Sequence, residues 1–92
     1  MLGVRAVDQT AQATATTGAA ASVSAGPTPP TGAAGELAIG FYADSGFSNN
    51  LGGDPTYTVR TNVSPTGDME LLAQDQVLTG TGATPNPTTS TG

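Results

Sequence analysis

The chain contains no cysteine, no histidine, no lysine and no tryptophan. Without cysteine there is no disulfide and no thiolate chemistry. A small domain of this kind then needs another source of stability: a bound metal, association with other chains, or a larger covalent context. Without histidine, cysteine or lysine, a serine has no ordinary base to activate it, so nucleophilic catalysis lacks a partner and the sequence is read as non-enzymatic. Two arginines against seven carboxylates give a net charge of −5. A chain so poor in cations cannot neutralise phosphates, which excludes nucleic acid and disfavours anionic membranes. No apolar run approaches the ~20 residues of a membrane helix, so membrane insertion is not expected, and residues 1–5 lack the pattern of a signal peptide.

Large apolar side chains are also scarce. Leu, Ile, Val and Phe together number 15 of 92 residues, joined by Tyr42 and Tyr57. That is below the ~20% typical of folded chains, but the net charge is modest, so the signature of disorder is only half met. These residues concentrate between Glu36 and Leu78, which marks a folded segment with thin flanks. A length of 92 residues allows one small domain.

What is present alternates with a period of two. Residues 2–7, LGVRAV, suit a short strand. Thr10–Ala25 is rich in alanine, but four threonines and a central glycine argue against helix; two thin strands are expected near 13–17 and 21–25, turning at Gly18. Residues 26–35, GPTPPTGAAG, form a loop. In residues 36–43, ELAIGFYA, Leu37, Ile39, Phe41 and Ala43 share one face, and Ala38, Gly40 and Tyr42 the other. The heavier face is expected to be the buried one. Residues 44–55 make a long loop, with Phe47 and Leu51 folding it back onto the body. Residues 56–63, TYTVRTNV, read as a strand, and Ser64-Pro65-Thr66-Gly67 as a turn leading to a partner strand within 68–78. Helix is the competing reading for 68–78, and the hairpin context decides for strand. Residues 79–92, TGTGATPNPTTSTG, read as a linker or tail with no core residue after Ala83. The expected organisation is one partial sandwich module over 1–78 and a tail over 79–92.

The series GELAIGFYADSGFSNN, YTVRTNV and MELLAQDQVLTGTGAT resembles the C-terminal half of a jelly-roll-like β-sandwich module of secreted and phage-associated bacterial proteins. The resemblance covers most of Val7 to Thr84. It implies an all-β, antiparallel, jelly-roll-like sandwich that is incomplete, because such modules are longer and close with an aromatic and apolar strand beyond the Gly/Thr-rich loop. The missing strands would then come from a longer gene product or from neighbouring subunits by strand addition.

Several constellations could carry chemistry. Asp44, Asn49, Asn50 and Asp54 crowd one loop with the oxygen donors calcium prefers, although the spacing matches no EF-hand; the plainer alternative is a turn held by Asx bonds. Tyr42 and Tyr57, on neighbouring strands, could stack a sugar, the alternative being the edge of a core. Asp68, Glu70 and Asp75 read as a solvated strand face rather than a paired-carboxylate site. The functional expectation is a structural building block of an extracellular, filament or particle-surface assembly, on the surface of a cell or virus. It would contact copies of itself or a flanking domain through sheet edges, without an obligatory cofactor. The alternative is a carbohydrate-binding accessory module of a larger secreted protein.

Overall fold

The computed structural model describes residues 6–15, 21–45, 50–65 and 69–91. These fold as β structure without helix: β1 (Ala21–Ser24), β2 (Leu37–Asp44), β3 (Thr58–Val63), β4 (Glu70–Val77) and β5 (Thr88–Thr91). The strands form two antiparallel sheets, β1-β5 and β2-β4-β3. Together they make a small, incomplete sandwich. The expected strand at 2–7 and the turn at Gly18 fall largely or wholly outside the described residues, and 13–15 are irregular rather than strand.

β3 and β4 pair as the hairpin the sequence suggested, with the competing helix absent. β4 is central because its eight residues satisfy backbone groups on both sides, in register with β2 from Leu37↔Val77 to Asp44↔Glu70.

The segment expected to be a tail carries β5. It pairs with β1 from Ala21↔Thr91 to Ser24↔Thr88, and the ladder is prolonged by loop contacts. Ala25 N–H donates to Pro87 O at 3.1 Å, Thr28 N–H to Pro85 O at 3.1 Å, and Thr31 N–H to Ala83 O at 2.9 Å. Prolines cannot donate, but their carbonyls accept, so two proline-rich stretches still zip together as a ribbon. Pro87, Thr89 and Thr91 are buried, so core-facing residues do follow Ala83.

The sheets meet through small and polar side chains. Gly40 of β2 faces Pro87: a Cβ built on it would lie 2.9 Å from the Pro87 ring. Gln74 of β4 spans the gap, accepting the Asp54 N–H at 2.7 Å and donating to Thr88 O at 3.1 Å. Gly52 and Ser90 exchange backbone hydrogen bonds at 2.9 and 2.8 Å. Leu72 is completely buried and Leu51 nearly so, which places the 50s loop against the body as expected; Phe47 lies outside the described residues.

The burial of β2 is the reverse of the expectation. Ala38, Gly40 and Tyr42 lie on the inner side, in register with Gln76, Gln74 and Leu72. Ile39 and Phe41 point outward and are 54% and 69% exposed. The reason is geometric. β5 brings Pro87 and a threonine-lined backbone close over the centre of β4, and only a glycine on β2 fits beneath it.

Candidate functional site

Two surfaces of the three-stranded sheet follow from this inversion. The inner side holds Glu70, Leu72 and Gln74, all nearly inaccessible to solvent. The outer side collects Ile39, Phe41, Val63, Leu71 and Val77, each more than 40% exposed. Register joins them into one patch, because Phe41 and Ala73 are partners and Leu71 pairs with both Ala43 and Val63. Scattered apolar residues are ordinary on a protein surface, whereas these form a row across three strands.

The two margins of this sheet differ. At β3 the register slips between Val59 and Thr61, the signature of a bulge, and Arg60 at that point forms a two-toothed ion pair with Asp75 (2.8 and 3.0 Å). The bulge and the charge blunt that edge against further pairing. At β2 there is no bulge, no proline and no cation. Leu78 N–H donates to Glu36 O at 2.7 Å. By the alternation of an antiparallel ladder, Ala38, Gly40, Tyr42 and Asp44 then bond to β4, while the N–H and C=O of Leu37, Ile39, Phe41 and Ala43 point away from it.

A cavity of about 580 Å³ opens along this margin. Its apolar wall comes from Val7, Leu37, Ile39, Phe41, Leu78 and Pro85; its polar rim includes Asp8, Glu36 and Thr31. Residues 6–10 border it and are all exposed. Asp8 ties this segment down by accepting the Gly32 N–H at 2.7 Å. Loss of hydration and the neighbouring Asp8 carboxylate raise the pKa of Glu36 above its ordinary value.

Comparison with known proteins returned no matching family, curated protein or solved structure.

The residues singled out for metal binding do different work or lie apart. Asn49 is outside the described residues. Asp54 is a bracket between loop and sheet. Its Oδ1 accepts from Thr56 N–H (2.9 Å) and Oγ1 (2.7 Å), and its Oδ2 accepts from Thr88 N–H and Oγ1 (both 3.1 Å). Hydrogen bonds from Thr56, then from Thr88, hold its carboxyl below the ordinary range. A carboxylate already bonded to four protein donors has little left for a cation. Asp44 sits in β2, with the Tyr42 hydroxyl 3.4 Å from its Oδ2, and Asn50 is exposed. Among the described residues no three acidic side chains converge.

Tyr42 and Tyr57 do not form a platform. They lie on opposite sides of β4 rather than on adjacent strands. Tyr42 is level with Leu72, and Tyr57 precedes the Thr58↔Asp75 pair. That separates them by roughly 14 Å along the strands and about 10 Å across them. The Tyr57 hydroxyl is buried, and burial together with the nearby Asp54 carboxylate raises its pKa. Glu70 and Asp75 fall on opposite faces of β4, so they cannot act as a carboxylate pair.

Sequence reasoning missed the unpaired β2 edge. The clue was available: an eight-residue strand with alternating bulk and no edge-protecting residue.

Proposed function

We propose that this chain is a structural β module of an extracellular, filament or particle-surface assembly, completed by neighbouring chains at its three-stranded sheet. One observation carries the reading: most large apolar side chains of that sheet are displayed outward, while the interior holds Leu51 and Leu72 among glycine, proline, threonine and glutamine. A monomer built this way leaves its main apolar surface in water. Covering it recovers roughly 25 cal/mol for each Å² removed from solvent. The jelly-roll-like resemblance of residues 7–84 is compatible with this role, since it too implies strands supplied from outside.

Sedimentation velocity from micromolar to hundreds of micromolar protein tests the proposal. Concentration-dependent association that is weakened by Phe41→Lys is the expected result. A species that stays monomeric over the whole range would exclude it. Glycan-array binding abolished by Tyr42→Ala or Tyr57→Ala would favour a carbohydrate-binding module instead.

A further inference from the structure

From the way residues 6–10 are tied down, we infer that Asp8 and Glu36 form a pH-sensitive latch. The two carboxyl groups share one proton to hold this segment across the cavity beside β2, and loss of the proton releases it. The latch belongs to a single chain and stands or falls independently of association between chains.

Little else attaches the segment. Residues 6–10 are all exposed, Val7 to the extent of 76%, so apolar burial contributes little to their position. They line the same cavity as Leu37, Ile39 and Phe41, yet no backbone hydrogen bond joins them to β2. The tether is Asp8. Its Oδ2 accepts the Gly32 N–H at 2.7 Å, and its carboxyl group meets that of Glu36, the residue that precedes β2.

Glu36 is the titrating half. Its Oε2 is shut off from water and has no hydrogen-bond donor. An ionised oxygen in that position is costly, whereas a protonated carboxyl there donates to Asp8 and removes the cost. The surrounding groups supply no other remedy. Asp8 comes from the 6–10 segment, the Ala33 N–H from the loop before β2, and Tyr57, which lines the same cavity, from the chain leading into β3. No cation lines the cavity, and Arg60 is already paired with Asp75. The Ala33 bond favours the ionised form of Glu36. Loss of hydration and the Asp8 carboxylate outweigh it and raise the pKa.

Once both groups are ionised, two like charges lie in contact beside an apolar wall, and only separation rehydrates them. β2 is fixed to β4 by a ladder from Leu37↔Val77 to Asp44↔Glu70, while residues 6–10 have no ladder to break. The segment is therefore the part that moves. The latch is closed at low pH and opens as pH rises through the raised value of Glu36, its proton passing to solvent. Opening bares the cavity wall formed by Leu37, Ile39 and Phe41.

Backbone amide order parameters from NMR relaxation of the full chain, measured at about pH 4 and about pH 8, test the latch. In the unmodified protein, residues 7–9 are expected to lie well above ~0.6 at the lower pH and to fall below it at the higher. Leu72 and Gln74 of β4 are expected to stay rigid at both, which separates release of the segment from unfolding. Glu36→Gln sets a permanent N–H donor against Asp8. Asp8→Asn sets one against Glu36 while its oxygen still accepts from Gly32. Each variant is expected to keep residues 7–9 ordered at both pH values, and either one suffices if the other does not fold. Order at 7–9 that does not change with pH in the unmodified protein overturns the inference. So does a folded variant in which residues 7–9 are released as in the unmodified protein.

Discussion

At the scale of single residues, two carboxylates set opposite limits on stability. Asp54 holds Thr56 and Thr88, and its folded pKa is lowered by those hydrogen bonds. Its contribution is therefore present above its unfolded value, near ~3.9, and is lost as pH falls through the lower folded value. Glu36 behaves in the reverse sense. Its folded pKa is raised, first by loss of hydration and then by Asp8. Its contribution is present below its unfolded value, near ~4.3, and is lost as pH rises through the higher folded value. Stability in urea is expected to pass through a maximum near pH ~4, between the two unfolded values. Glu36→Gln should flatten the limb above the maximum, and Asp54→Asn the limb below it. Urea midpoints measured from pH 3 to pH 8 check both; a profile unaltered by either variant would show that these groups do not govern it. Asp54→Ala removes acceptors from Thr88 and Thr56 together and is expected to cost about 1–3 kcal/mol at neutral pH.

At the scale of elements, β2 shows what alternation can and cannot reveal. The sharing of faces was legible: Leu37, Ile39 and Phe41 do lie on one side, and Ala38, Gly40 and Tyr42 on the other. Which side is buried was not, because that depends on what the second sheet brings to it. β5 brings Pro87, which leaves room for Gly40 and nothing larger. β5 itself was hidden because Thr-Thr-Ser-Thr has no apolar contrast; its burial follows from pairing with β1, a contact over 60 residues away in sequence. The loop acids were recognisable as oxygen donors, but their true partners, Thr56 and Thr88, follow from the fold. The inverted packing predicts an unusual pattern of mutational sensitivity. Gly40→Ala forces a Cβ against the Pro87 ring and is expected to cost about 1–3 kcal/mol, as overpacking does. Phe41→Ser removes a much larger group from an exposed face and should change monomer stability by less than about 0.5 kcal/mol. Urea denaturation of dilute protein compares the two; a large loss for Phe41→Ser with none for Gly40→Ala would place the core on the other face.

At the scale of the whole molecule, apolar attraction at the outer sheet face works against net repulsion. Each chain carries −5 with no lysine or histidine to offset it, so every copy that joins an assembly adds charge of one sign. Exposed charges are screened over a Debye length of ~30 Å at 0.01 M salt and ~8 Å at 0.15 M. The apolar contact is not weakened by the same change. Association is therefore expected to strengthen as sodium chloride rises from low to physiological concentration, and to strengthen again as pH approaches the sequence pI of about 4.1. An assembly held by ion pairs would respond in the opposite way to salt, and the Arg60–Asp75 pair is satisfied within one chain, so it offers no such bridge. Sedimentation at fixed protein concentration in increasing salt separates the two mechanisms. Dissociation on adding salt would mean that charge, rather than the row from Ile39 to Val77, holds the copies together.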